Sequence, residues 1–358
     1  MKARALALIA LLPGAASAWP VYGDSADAFN QTRESTPRAD GFYHVDTPFL
    51  IQRLQQLHVN VYAFLLWRSP TDWDDLTRDF VPAAEQANLE TWVYLVPPSE
   101  ANGFNIPPCN QDYVCWANQI GALAQAHPIV TSYLMDDFNA NRATFTPTYV
   151  SQMAAAARAH AGVRFYAVDY WPSVTTDLAN GYAGSVDGIV FPYIDLDSET
   201  ALPMQLDAVC AAARSQLSGR CLLMVYAGWT SWHKANPTPQ YVTAALTDGQ
   251  SAIQAGTADG IITYRLDKSL DSAMFPVVAS LYDKWNPPPP DAAATDSAIA
   301  SDSAIAPDLS HSASTPQCSC ALGRRRAPSP LLLLFLGALH WLGRRRRGRS
   351  FQSGRVRA

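Results

Sequence analysis

The stretch VTSYLMDDFNANRATFTPTYVSQMAAAARAHAGVRFYAVDYW, residues 130–171, contains one complete unit of the fold. Its two ends, 130–138 and 163–171, are short runs of apolar, β-branched and aromatic residues with little polar alternation. Such runs read as parallel strands covered on both faces. Between them, FTPTYVSQMAAAARAH opens on a Thr-Pro pair and continues in Ala. This predicts a helix with Thr146 as N-cap and Pro147 in its first position.

The same unit recurs in both directions along the chain. Strand-like runs lie at 19–24 (WPVYGD, the least marked), 59–67, 89–97, 187–195, 221–229 and 260–267. The segments DTPFLIQRLQQL and PTPQYVTAAL repeat the Thr-Pro helix start and predict Thr47 and Thr238 as caps. Further helical patterns occupy 72–87, 111–126, 202–217 and 271–285. Eight strands alternating with helices, at this length, predict an α/β fold of the (β/α)8 TIM-barrel type as a single domain over 19–285. A doubly wound open sheet is the alternative, but no Gly-rich phosphate loop follows any strand.

In such a barrel the C-terminal strand ends carry the site, and here those ends collect carboxylates and aromatics. Strand 1 ends at Asp24, strand 2 at Trp67 and Arg68, and strand 3 leads to Glu100. Strand 4 runs into Asp136 and Asp137, with Asn139 beyond. Asp169, Tyr170 and Trp171 close strand 5; Tyr193, Asp195 and Asp197 follow strand 6. Strand 7 supplies Tyr226 and Trp229, and strand 8 Tyr264, Arg265 and Asp267. Aromatic faces stack on the apolar faces of sugar rings, and carboxylates accept hydroxyl hydrogen bonds. Two carboxylates also supply the acid and the nucleophile or base of glycosidic cleavage, their pKa values spread apart by crowding. Asp136, Asp137, Asp169 and Asp195 are therefore the candidate catalytic residues, and the other rim residues candidate substrate ligands. Alternation groups Asp136 with Ser132 and Leu134, and Asp137 with Tyr133 and Met135; neither set is marked as interior. Each position also has a structural alternative: a lone Asp caps helices, Trp67 and Trp92 suit a core, and His44 and His233 suit structural hydrogen bonds.

Both ends of the chain differ from this body. Residues 1–18 combine early cations, an apolar middle and a small-residue end, the pattern of a secretory signal peptide. Residues 286–317, rich in Pro, Ala, Ser and Asp, predict an extended linker. Residues 318–358 hold Cys318 and Cys320, an apolar run from Leu331 to Leu342, and Arg clusters; that run is shorter than a spanning helix requires. Residues 19–290 carry 27 acidic and 14 basic residues, a balance of −13. This excludes nucleic acid and anionic lipid as natural partners of the body and suits a neutral or cationic substrate. In an exported chain, Cys109 with Cys115 and Cys210 with Cys221 read as two local disulfides; neither pair has zinc-site spacing.

The Cys pair, apolar segment and Arg cluster of 318–358 resemble the C-terminal sorting segments of myxobacterial surface proteins. The resemblance implies a secreted or cell-surface protein held at the envelope through this tail. Residues 20–285 resemble secreted (β/α)8 glycoside hydrolases, nearest in pattern to the α-galactosidase and α-glucosidase clan. That resemblance implies a nucleophilic Asp at the end of strand 4, Asp136 or Asp137, and an acid/base Asp after strand 6, Asp195 or Asp197. The Lys that often precedes the strand 4 Asp is replaced by Leu134 and Met135, the DxxDxDxE pattern of chitinases is absent, and no Asn-Glu pair ends strand 4.

The reading that follows is an exported glycoside hydrolase acting on a glycan through paired Asp carboxylates, with no cofactor and no assigned metal. Two others compete. A non-catalytic carbohydrate-binding barrel would use the same rim aromatics without an acid/base pair. A metal-dependent hydrolase would use Asp136, Asp137, Asp169 and Asp195 as oxygen ligands.

Overall fold

The apolar runs fold as strands in the computed structural model, which describes residues 20–287 apart from 28–29, 68, 102–105, 175–177, 179–180 and 231–232. The strands are β1 (Val21–Ser25), β2 (Val61–Leu66), β3 (Glu90–Leu95) and β4 (Val130–Met135). They continue with β5 (Arg164–Val168), β6 (Gly188–Tyr193), β7 (Arg220–Tyr226) and β8 (Gly260–Tyr264). Each pairs in parallel with the next and β8 pairs with β1, closing the barrel. The chain is a (β/α)8 barrel. Arg68 and the segments read from the sequence as a signal peptide, a linker (beyond residue 287) and a sorting tail lie outside the described residues.

The helices form where apolar spacing and a capping residue coincide. They are α1 (Thr47–Gln56), α3 (Tyr113–Ala126), α4 (Pro147–Arg158), α6 (Pro239–Gln254) and α7 (Phe275–Trp285). Helix α2 runs through Asp72–Asp74, a π-helical turn Asp75–Phe80 and Val81–Gln86. Helix α5 (Leu202–Ala212) also ends in a π turn, Ala213–Leu217. Thr146 and Thr238 cap α4 and α6, accepting from Tyr149 N and Tyr241 N. At α1 the cap is Asp46 instead, which accepts from Phe49 N at 3.2 Å and leaves Thr47 inside the helix. A carboxylate at this end also meets the positive pole of the helix dipole.

Alternation along the strands sorts their side chains into two cores. Val61, Ala63, Leu65 and Trp67 join Trp92, Tyr94, Leu134, Tyr166, Val190, Met224, Tyr226 and Tyr264 in a cluster drawn mainly from the strands. That cluster is the barrel interior. Tyr62, Phe64, Val93, Tyr133, Phe191 and Val225 pack instead with residues of α1 to α7, forming the layer between barrel and helices. Stacked Trp92 and Tyr166 rings, 5.0 Å apart, fill the interior. Disulfides join Cys109 to Cys115 and Cys210 on α5 to Cys221 on β7. The long segment after β1 is fastened to α2 by charge: Arg33 pairs with Asp72 at 2.6 Å, and His44 Nδ1 meets Asp75 at 2.5 Å.

Candidate active site

Membership of the two cores decides which rim residues face the barrel axis. Leu134 belongs to the interior and Tyr133 and Met135 to the outer layer. The inward series on β4 is therefore Ser132, Leu134 and Asp136. The Asp136 amide still donates to Leu95 O, so the strand pairing carries it one residue past the end of β4. Asp137 then turns the chain with φ 42°, a left-handed conformation that Asp tolerates better than most residues. Its amide donates to Asp136 Oδ1 at 2.9 Å.

Around Asp136 stands a ring of tyrosines. Tyr94, Tyr226 and Tyr264 are the last inward residues of β3, β7 and β8, with Tyr226 and Tyr264 centroids 5.1 Å apart and Tyr94 and Tyr264 6.1 Å apart. Burial pushes the Asp136 carboxyl well above the usual carboxylate range, and the charges of Asp137 and Glu100 raise it further. The Tyr94 hydroxyl and the Asp137 amide act in the opposite direction. Asp137 is also raised by burial, with a hydrogen bond from Tyr170 opposing. Burial first, then Asp136, raises the Tyr94 and Tyr264 hydroxyls, and Tyr170 is raised by burial and by Tyr226 and Asp136. The chemical result is one enclosed carboxyl that holds its proton more tightly than an ordinary carboxyl, with Asp137, Glu100 and several phenols beside it.

The structure thus brings together Asp136, Asp137, Glu100, Tyr170 and Tyr226, with Trp67 in the same interior cluster. Other rim candidates go elsewhere. Asp24 lies in the helix layer, fully buried, bound by Lys268 Nζ at 2.7 Å and Thr263 Oγ1 at 2.7 Å. Val21 faces the interior, so alternation turns Asp24 outward and makes it part of the scaffold. Asp169 follows inward Val168 and is fully buried; its Oδ1 accepts from Tyr170 N. It supports the turn that presents Tyr170. Tyr193 is an outer-layer residue donating to Ser198 O at 2.7 Å, and Trp171 packs partly against the same layer.

After β6 the chain leaves the barrel wall. Asp195 is exposed, accepts from Asp197 N at 3.3 Å, and bears on Tyr193 and Tyr241. Asp197 is 87% exposed and 3.8 Å from His233. Besides the adjacent Asp137, the carboxylate whose charge reaches Asp136 is Glu100, beyond β3. Asn139 links the β4 and β5 loops through Ser173, 3.2 Å away. The four carboxylates considered as oxygen ligands are not gathered, and among the described residues no group of three or more His, Cys, Asp or Glu is arranged to hold a metal ion.

Trp229 and Arg265 form a second feature at the ends of β7 and β8. With Asp27, Asp267, Asp271 and Met274 they line a cavity of about 480 Å³. Arg265 pairs with Asp27 and donates to Trp229 O at 2.9 Å. Its backbone has φ 63°, and a Cβ on Gly228 would lie 1.8 Å from Arg265 O. Tyr94 and Asp27 were not among the candidates. Tyr94 hides within an unbroken apolar strand, and Asp27 lies in a loop of no readable period.

No family model matches the chain, and no curated protein matches it in sequence. Its fold is shared with solved glycoside hydrolases. A GH113 β-1,4-mannanase in complex superposes with a TM-score of 0.52 at 11% identity, over 75% of this chain and 99% of that one. The GH113 β-mannanase from Alicyclobacillus acidocaldarius gives 0.52 at 9% identity, over 74% and 98%. A Ruminococcus gnavus β-glucuronidase gives 0.50 at 11% identity, covering 74% of this chain but 49% of its own. At these identities the likeness is one of fold. The class defined is a (β/α)8 barrel whose C-terminal rim holds a buried carboxyl among tyrosines.

Proposed function

We propose that this protein is an exported glycoside hydrolase in which Asp136 is the general acid. The observation that carries this reading is the placement of Asp136: inward-facing, at the C-terminal rim, and with its affinity for a proton raised by burial and by the charges of Asp137 and Glu100. A carboxyl in that state donates its proton to the glycosidic oxygen as the bond to the anomeric carbon breaks. Glu100, beyond β3, is the base. It takes a proton from the water whose oxygen attacks the anomeric carbon. Asp137 adds to the burial that raises the Asp136 pKa, and Tyr94, Tyr170 and Tyr226 line the approach. The glycan-hydrolase folds that the barrel resembles support a glycan as substrate. Export rests on residues 1–18 and the tail, and the two disulfides are in keeping with it.

The test is release of reducing sugar by the purified protein from a panel of glycosides and polysaccharides. Asp136→Asn and Glu100→Gln should each lower turnover by about 10²- to 10⁴-fold. Full activity in both variants would end this assignment. A second reading, a barrel that binds glycan without cleaving it, is favoured by one observation: Asp136 is only 8% exposed beneath the tyrosines. That reading predicts glycan binding without turnover, equal in wild type and Asp136→Asn.

A further inference from the structure

We propose that the cavity at the ends of β7 and β8 is a subsite for a saccharide carrying protonated amino groups. This deepens the glycan-hydrolase reading and rests on it. At about 480 Å³ the cavity has the size of a small-ligand site. Trp229 contributes a rigid aromatic wall and is 51% exposed, one of few exposed large hydrophobics among the described residues. Such a face stacks on the C–H side of a pyranose and attracts a nearby cation through its ring quadrupole.

The wall is built to hold that face in place. Arg265 donates to the Trp229 carbonyl, and the backbone at Gly228 is pressed so closely against Arg265 O that no side chain fits there. The charges then select the ligand. Arg265 is paired with Asp27, so its cation is compensated within the wall. Asp267 and Asp271 are exposed at the margin. Asp267 accepts from Ser269 N and Oγ at 3.0 and 2.8 Å, and Arg53 offsets part of its charge from the far side. Asp271 forms no ion pair among the described residues. The cavity margin is therefore net negative, in a body with 27 acidic and 14 basic residues between 19 and 290. A carboxylate beside a stacking platform favours an ammonium group over the neutral acetamide of the same sugar.

Calorimetric titration of the full chain with short chitosan oligosaccharides and their fully N-acetylated counterparts, at mildly acidic pH, tests this. The free-amine forms should bind about tenfold tighter or more, and the difference should shrink as salt is raised. Trp229→Ala and Asp271→Asn should each weaken amine-form binding by about tenfold. Both side chains are exposed, and unchanged thermal midpoints would show that the fold is intact. Equal affinity for the two forms, or wild-type binding by both variants, would overturn the proposal. The two readings fail separately. Cleavage of neutral glycans lost in Asp136→Asn, without amine preference, removes the subsite and keeps the hydrolase. Amine-selective binding with no cleavage of any glycan removes the hydrolase and keeps the subsite.

Discussion

At the scale of single residues, Asp136 couples its chemistry to stability. Its carboxyl binds a proton more tightly in the folded protein than in the unfolded chain. The stabilisation from that extra proton is complete below the ordinary carboxylate range. It is lost as pH rises through the raised folded value. Asn at 136 binds no proton, so Asp136→Asn should gain stability relative to wild type between about pH 4 and pH 8. Thermal midpoints of the two proteins at both pH values check this; a constant difference would mean that Asp136 ionises normally. Asp24 and Lys268 give a different prediction. Both are buried and 2.7 Å apart, so removing only the cation strands a charge in the helix layer. Lys268→Met should cost about 3–5 kcal/mol, and the double variant with Asp24→Asn should recover much of that loss. Urea midpoints measure both. Sequence alone could not separate Asp24 from Asp136, because each ends an apolar run and only the parity of its strand sends one outward and one inward.

At the scale of elements, the helices were legible where a capping side chain marks the start. Thr146 and Thr238 do accept from the third residue of their helices. At α1, by contrast, the adjacent Asp46 displaced Thr47 from that role. Thr146→Ala, Thr238→Ala and Asp46→Ala should each destabilise by about 1 kcal/mol, whereas Thr47→Ala should lack a capping loss. Chemical denaturation of the four variants separates these outcomes. The strands were equally legible in number and order, since near-continuous apolar runs survive any error of a residue at their ends. The loops were not. Asp195, read from the sequence as a rim residue after β6, is exposed and borders Tyr193 and Tyr241, while Glu100 after β3 joins Asp137 in acting on Asp136. Loop direction depends on tertiary contacts that have no period in sequence.

For the whole molecule, the proposed export carries a direct prediction. The mature protein recovered outside the cytoplasm should begin near Trp19 and contain the Cys109–Cys115 and Cys210–Cys221 bridges. Intact-mass measurement before and after reduction reads both, and a full-length reduced chain would contradict export. The alternation of apolar strands with capped helices determined the closed barrel, because parallel strands buried on both faces need a helix on every crossover. Composition determined the acidic balance of the body and the contrast with its two ends. Local cysteine spacing determined the disulfide pairs. Only the tertiary structure decided that Asp136 faces inward, that Asp24 pairs with Lys268 in the helix layer, and that Trp229 and Arg265 line a cavity. Those outcomes depend on strand parity, on loop paths and on which charges meet after the barrel closes. A residue-to-residue pattern along the chain specifies neighbours within an element, whereas the site is formed by neighbours across elements.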